Sequence, residues 1–416
     1  MLKGPIALAT VRTSFVLGLR LVVQAGTLLL VARMLGPEEF GAYAGIAALA
    51  VLMGTFSTFG THLVLLGEVS KDPSSRERIL CYAVPTTLLC GCLLFSLYIT
   101  VSRLWLPDAA SVFIVACIGI TETVLLPLFV LPATEELAKE KTARSQLLMT
   151  VPLGLRLLVA SGVFLLSPKQ PLAIFAGLYA ATAVMTLACM KLYNADGWLR
   201  PSRWRLASSA ELKHSAGYAA LALTAAGPSE LDKLLAVKLL PLEVSGLYAA
   251  ASRVIGAATL PVTALLLSAM PRLFRHGTEL SAQGWRLNSW ILGSVFIYGV
   301  ALAGLMWLAA PFVQWMFGPS YAGVENMLKW LCFAVPGLAL RICIGSIFVT
   351  MAQPWRRAGF EIFGMVSLVS AAVFLYPKFG AVGMALALVL SEWGMAFVGG
   401  WILAFRFRMT NKAGVN

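Results

Sequence analysis

Little in this sequence is equipped for covalent chemistry. Only 12% of its 416 residues are charged, and histidine occurs three times. Those histidines, His62, His214 and His276, lie far apart in the chain. Aspartate is confined to Asp72, Asp108, Asp196 and Asp232. The seven cysteines are scattered through apolar stretches with no CxxC and no metal-ligand spacing. They read as small hydrophobes. No Gly-rich phosphate loop, nucleophile elbow or HExxH motif is present. These absences argue against an enzyme and against any resident cofactor or metal.

The shortage of charge says more. A soluble protein carries roughly 25% charged residues. Here 59% of residues are hydrophobic and the mean hydropathy is +0.83. Water is therefore not the main solvent. About 20 apolar residues suffice to cross a bilayer, and twelve stretches qualify: roughly 13–33, 40–66, 79–102, 109–133, 145–167, 171–192, 215–239, 245–270, 288–315, 322–351, 358–376 and 380–405. The first run continues past residue 30 without a small-residue cleavage site, so no cleavable signal peptide is expected. The longest gap, "YNADGWLRPSRWRLASSAELKH", reads as a linker, residues 194–214, between halves 1–193 and 215–416 of six spans each. The expected fold class is an all-α polytopic membrane protein of two six-helix bundles.

Basic residues settle the expected orientation. With twelve spans, both termini and every second loop share a side. That side holds 21 Lys and Arg residues near the span ends and the opposite side five, Arg33, Arg103, Lys169, Lys238 and Lys378. Cytoplasmic loops carry the excess, so both termini and the linker are expected in the cytoplasm of a bacterial inner membrane. The net charge of +13 is spread over short loops. It fits contact with anionic lipid in the bilayer, not nucleic acid.

The two halves echo each other. "VARMLGPEEFGAYAG" (31–45) and "AVKLLPLEVSGLYAA" (236–250) align at an offset of 205, pairing Glu38, Gly41, Tyr43 and Ala44 with Glu243, Gly246, Tyr248 and Ala249. "LLSPKQPLAIFAGLYA" (165–180) and "FLYPKFGAVGMALALV" (374–389) align at 209. Six spans per unit is even, so the two units point the same way, related by a pseudo-two-fold axis along the membrane normal. Each first echo carries a turn signal, Gly36–Pro37 or Leu240–Pro241. Tyr43 and Tyr248 are expected at the outer interface, where amphipathic rings settle.

The run "LLLVARMLGPEEFGAYAGIAAL" resembles the first loop of Wzx-type polysaccharide flippases of the multidrug/oligosaccharidyl-lipid/polysaccharide (MOP) exporter superfamily. "LDKLLAVKLLPLEVSGLYAAASRV" and "FGPSYAG" (317–323) resemble the matching seventh-to-eighth-span region and the start of the tenth span. The resemblance implies a V-shaped pair of bundles around a central cavity. It implies a polyprenyl-diphosphate-linked oligosaccharide as cargo, moved to the outer leaflet during cell-surface polysaccharide synthesis (lipopolysaccharide or exopolysaccharide). A polysaccharide polymerase and glycosyltransferases would be its partners.

Charges inside spans are costly and mark pathways or partners. Arg20, Arg156, Lys233, Arg253 and Arg341 suit a diphosphate, arginine as a fork and lysine as a point charge. Glu122, Asp232, Glu361 and Glu392 are candidate sites for a coupling ion, proton or sodium, or charge partners. Structural pairing is the competing role: Lys233 with Glu230 at i,i+3, Arg253 with Asp232 across helices, and Arg20 reaching toward the cytoplasmic surface. Gly227–Pro228, just before the charged cluster of span 7, is a candidate hinge. Two other functions stay open, a drug or cation antiporter of the related extrusion branch and a membrane polysaccharide polymerase.

The charge asymmetry predicts that a reporter fused after Arg205 is active in the cytoplasm and one fused after Lys169 is active outside. The same side for both fusions would overturn the twelve-span topology.

Overall fold

The computed structural model describes residues 5–106, 110–193, 201–263, 265–266, 282–351 and 353–413. Expected features at 194–200, at the end of the eighth span, and at Asp108, Arg200, Arg272, Arg275 and His276 lie outside the described residues. All regular structure among those described is helical. In the order in which they occur, the principal helices are α1 (Pro5–Ser57), α2 (Thr61–Lys71), α3 (Arg76–Trp105), α4 (Val112–Ile120), α5 (Leu126–Ala138), α6 (Thr142–Leu166), α7 (Pro171–Tyr193), α8 (Ser209–Leu239), α9 (Leu242–Ala258), α10 (Ala282–Phe317), α11 (Val324–Leu331), α12 (Val335–Thr350) and α13 (Pro354–Ala413). Eight helical stretches among the described residues are long and apolar enough to cross a membrane. Two of these, Phe15–Ser57 and Trp355–Phe405, contain a non-helical glycine, Gly36 and Gly380, and so supply two spans each. α8 and α9 supply the seventh and eighth. α8 is the more polar, carrying Glu230, Asp232 and Lys233 in mid-helix.

The chain forms two compact units, residues 1–226 and 227–416. Within each, the repeated sequence makes a repeated break. In the first unit the break is Gly36, at φ +70° and ψ 172°, a conformation that favours glycine. In the second it is the Leu240–Pro241 step between α8 and α9, with Pro241 extended at φ −54° and ψ 145°. The outer turns of the second echo also correspond. Ser167 ends α6 at φ +41°, and Gly380 breaks α13 at φ +57°.

The second span departs from expectation. It stops at Ser57, and Phe59 and Gly60 both adopt positive φ before α2 begins. Thr58 Oγ1 meets His62 Nδ1 at 2.7 Å and Thr61 Oγ1 donates to the Thr58 carbonyl at 2.7 Å, closing the break locally. A Cβ on Gly60 would lie 2.5 Å from the Ser215 carbonyl oxygen, so the start of α8 seats against this point. Hydropathy reads through such a step because Phe59 and Gly60 remain apolar.

In lipid the hydrophobic effect does not drive helices together, and close packing at small residues does more of it. The fourth span shows this. Between α4 and α5 the backbone widens into a π-helical turn, Thr121–Leu125. Cβ atoms on Gly54 and Gly91 would lie 2.3 and 2.7 Å from the carbonyl oxygens of Glu122 and Thr123. Two facing glycines thus admit the widened turn that carries Glu122. The outward surface is apolar, with Leu93, Leu165, Leu166 and Trp401 all well exposed.

Part of the 194–214 segment is anchored to the first unit. The Arg205 amide donates to the Cys81 carbonyl at 3.0 Å, and its guanidinium sits 5.1 Å from the Tyr82 ring centroid. Arg205 also forks onto Glu211 at 2.6 and 2.8 Å. Ser208 and Glu211 bond each other's backbone amides as a capping box at the start of α8. Arg205, followed by the Ser208 bonds, holds the Glu211 carboxyl down to about 2 from its ordinary 4.5. A depressed carboxylate favours the docked form fully above 4.5, and that contribution is lost as pH falls from 4.5 through about 2. Amide exchange at Ser208–Glu211 is expected to accelerate over that window in the wild type. The Glu211→Gln variant should exchange quickly at all pH values. Identical pH profiles would sever the pair from the docking of this segment.

Candidate functional site

Each unit contains a buried polar network around the candidate charges, and the two are built differently. In the first unit α6 carries Arg156. Its Nη2 donates to the Tyr43 hydroxyl, and its guanidinium carbon lies 4.6 Å from the Tyr179 ring centroid and 5.9 Å from those of Tyr43 and Phe175. Phe175 and Tyr179, one turn apart on α7, stack nearly parallel, and Tyr43 meets Phe175 edge-on. Desolvated cation–π contacts are worth about 2 kcal/mol. The Tyr179 hydroxyl donates to Glu122 Oε1 at 2.9 Å, linking the cage to the π-turn. Lower on α1, Arg20 Nη1 donates to the uncharged Gln146 Oε1 at 3.0 Å. Arg20 lies sixteen residues before Gly36 and Arg156 eleven before Ser167. At 1.5 Å per residue they stand about 24 and about 16 Å along their helices from those two breaks.

In the second unit most of the buried charges are paired. Asp232 on α8, 2% exposed, receives Ser252 Oγ at 2.8 Å and the Tyr248 hydroxyl at 3.2 Å. Tyr248 and Ser252 are i and i+4 on α9, so one helix face presents both. Lys233 Nζ reaches Asp232 Oδ1 at 3.2 Å and Glu230 at 3.8 Å, and donates to the Ser229 carbonyl. Arg341 on α12, 4% exposed, donates through Nε to Glu392 Oε2 on α13 at 2.7 Å. Its Nη2 donates to Ser229 Oγ at 3.4 Å. Ser229 therefore touches both pairs, by its carbonyl and its hydroxyl. A Cβ on Gly337, one turn before Arg341, would lie 3.0 Å from the Trp393 amide nitrogen and 3.1 Å from the Glu392 carbonyl carbon. That close approach sets Arg341 against Glu392. Glu361, 1% exposed, pairs with Arg357 at 3.0 Å.

The structure thus brings Lys233, Asp232, Arg341 and Glu392 into one connected cluster. It leaves Glu361 in its own pair and places Arg20 on Gln146. The i,i+3 approach of Lys233 to Glu230 is present. The Arg253–Asp232 pair is not: hydroxyls and Lys233 occupy the Asp232 carboxylate, and Arg253 is half-buried without a carboxylate partner among the described residues. Tyr43 and Tyr248 are not interfacial anchors. Both rings are buried at 3% and 0% exposure, and both hydroxyls face a charged group. Ser229, Tyr179, Phe175 and Gln146 are network members that sequence reasoning passed over. The i,i+4 pairing of Tyr248 with Ser252 was the one available signal.

Residues 10–276 match the family described as Polysaccharide biosynthesis protein. The chain belongs to this family. Its fold is similar to that of a multidrug resistance MATE family transporter of the MOP superfamily, in both its inward-facing and its outward-facing conformation. The inward-facing structure gives a TM-score of 0.73 at 14% identity, covering 94% of this chain and 96% of that one. The outward-facing one gives 0.68 at 16% identity, covering 99% and 98%. A MOP superfamily transporter from Pyrococcus furiosus, described as having a binding pocket of reversed polarity, gives 0.65 at 14%, covering 96% and 95%. No curated protein sequence matches significantly. Identities this low speak for the fold alone. Family and helices together make this a multi-pass membrane protein of the polysaccharide biosynthesis family, with a fold similar to that of MOP superfamily transporters.

Breaking the Arg341–Glu392 pair strands a buried charge, which costs about 3–5 kcal/mol. Arg341→Met is expected to lower thermal stability in detergent by that order, and Arg341→Met combined with Glu392→Leu to recover most of it. A double variant no more stable than the single one would deny the coupling.

Proposed function

We propose that the protein is a flippase. It carries a polyprenyl-diphosphate-linked oligosaccharide from the cytoplasmic to the outer leaflet of the bacterial inner membrane by alternating access. The supporting observation is that two intramembrane arginines, one in each unit, are held without a carboxylate among the described residues. Arg20 is bonded to an amide and Arg253 has no carboxylate partner among the described residues. Arg156 is held by aromatic rings and a phenol hydroxyl. A guanidinium in hydrocarbon is expensive, and an arriving diphosphate supplies counter-charge to Arg20 and Arg253. Membership of the polysaccharide biosynthesis family supports the same cargo class.

On this reading each unit offers the diphosphate cations of its own, Arg20 and Arg156 in the first and Arg253 in the second. Lys233 and Arg341 are held in reserve by Asp232, Glu230 and Glu392. Cargo competes with those carboxylates, so binding loosens the cluster around Ser229 and drives the conformational step. The antiporter alternative needs a carboxylate left open for a cationic drug. In the second unit the buried acids Asp232, Glu361 and Glu392 each lie against a cation, which supports the flippase instead.

Vesicles reconstituted with the protein and a defined polyprenyl-diphosphate oligosaccharide test the proposal, with and without proton or sodium gradients. The wild type should expose the glycan outside. Arg156→Ala and Arg253→Ala should each slow this at least about tenfold, the equivalent of one 1.4 kcal/mol interaction, while still inserting. Pro228→Ala should slow the cycle if the Gly227–Pro228 step inside α8 serves as the hinge expected of it. Full-rate transport by Arg20→Ala, Arg156→Ala and Arg253→Ala alike would sink the diphosphate assignment.

A further inference from the structure

Arg20 on α1 donates through Nη1 to Oε1 of Gln146, near the start of α6, at 3.0 Å. The two helices also touch further along, since a Cβ on Gly26 would lie 3.3 Å from Leu157 Cδ1. The charge of Arg20 has no counter-charge in this contact. Among the described residues no carboxylate reaches it. Gln24, one turn along α1 on the same face, is a second half-buried carboxamide. Thr150, one turn along α6 from Gln146, directs its hydroxyl to the Gln146 backbone carbonyl at 2.7 Å. The surroundings of Arg20 are thus polar and uncharged.

Glutamate has nearly the shape of glutamine and would hold a guanidinium more firmly, through a charge-assisted bond. The second unit uses that solution, with Glu392 bound to Arg341 at 2.7 Å. An amide at position 146 orients the guanidinium without cancelling its charge, although a cation inside a span is costly. It also fixes what the pair recognises. A guanidinium has no acceptor, so the amide oxygen must face Arg20, and the two N–H groups of Gln146 Nε2 are left for another partner. With Oε1 engaged, the pair offers mainly N–H donors around one positive charge, which suits phosphoryl oxygens. We propose that Gln146 is a specificity-determining residue: it orients Arg20, keeps its charge available to a phosphoryl anion and adds donors of its own. This rests on the flippase reading above, with the cargo's diphosphate as the anion. On the twelve-span topology both residues stand in the cytoplasmic half of their spans, the side from which the cargo's head departs. The headgroup of an anionic phospholipid is the competing occupant.

Two substitutions separate charge from support. Gln146→Glu strengthens the bond to Arg20 and cancels its charge, whereas Gln146→Leu loses the bond and leaves the charge. In reconstituted vesicles Gln146→Glu should slow the polyprenyl-diphosphate oligosaccharide at least about tenfold and raise its half-saturating concentration, while melting no lower than the wild type. Gln146→Leu should retain more of the rate. A residue that only supported the fold would give the reverse order. Gln146→Glu carrying cargo faster than Gln146→Leu, or as fast as the wild type, therefore overturns the inference. A second measurement needs no variant. Phenylglyoxal, which modifies accessible guanidinium groups, should tag Arg20 in the wild type, and a polyprenyl diphosphate should block the tag where phosphatidylglycerol at the same concentration does not. An Arg20 left untagged without ligand, tagged equally with the diphosphate, or shielded equally by phosphatidylglycerol overturns the assignment. Arg20 shielded by the diphosphate in wild-type protein that moves no cargo would uphold the anion seat and overturn the flippase reading instead.

Discussion

A charge inside hydrocarbon must be answered by something, and this constraint shapes the molecule. Placing an arginine or aspartate at a helix centre costs about 2.5–3.5 kcal/mol by insertion measurements. The chain nonetheless places several there. Its second unit answers them internally, with Arg341 on Glu392, Lys233 on Asp232, and Ser229 touching both. Its first unit answers Arg156 with rings and a phenol, and Arg20 with an amide. One unit answers its buried charge mainly with ion pairs, the other with rings, a phenol and an amide.

The scaffold supplies the geometry for both answers. Helices without a hydrophobic drive to associate depend on intimate contact. Gly54 and Gly91 let two helices touch the backbone of the π-turn that carries Glu122, and Gly337 brings α12 against the backbone at Glu392. At both places a missing side chain on one helix fixes a charged side chain on another. The breaks at Gly36 and Pro241 begin the helical segments that deliver Tyr43 and Tyr248. Backbone exceptions and buried charges therefore belong to one arrangement.

This division of labour explains what could be read in advance. Hydropathy and the Lys and Arg count need only one-dimensional information, and the spans and the membrane class emerged from them. The paired turns were legible because glycine and proline mark backbone that cannot stay helical. The pairing of Arg341 with Glu392 was not legible. The two are 51 residues apart on different helices, and their meeting depends on rotation about each axis, at 100° per residue. The break at Phe59–Gly60 escaped for another reason: apolar residues in the left-handed region leave hydropathy unchanged. Tyr43 and Tyr248 were located but misread, because an interfacial ring and a buried ring have the same sequence signature until their neighbours are known.

Those tyrosines also show what a duplicated unit can keep while its charges diverge. Lys233 and Arg253 align with Leu28 and Ala48 in the first unit, so the charges were not copied. The aligned tyrosines are shared, yet their partners have opposite sign. Tyr43 accepts a hydrogen bond from a guanidinium, and Tyr248 donates one to a carboxylate. A phenol hydroxyl can do either, so one side chain at one repeated position serves a cation in one unit and an anion in the other. Phenylalanine at that position would offer a ring to the cation and nothing to the anion, and lysine or glutamate would serve only one. Tyrosine is the residue that lets a repeated helical unit hold a cation in one copy and an anion in the other.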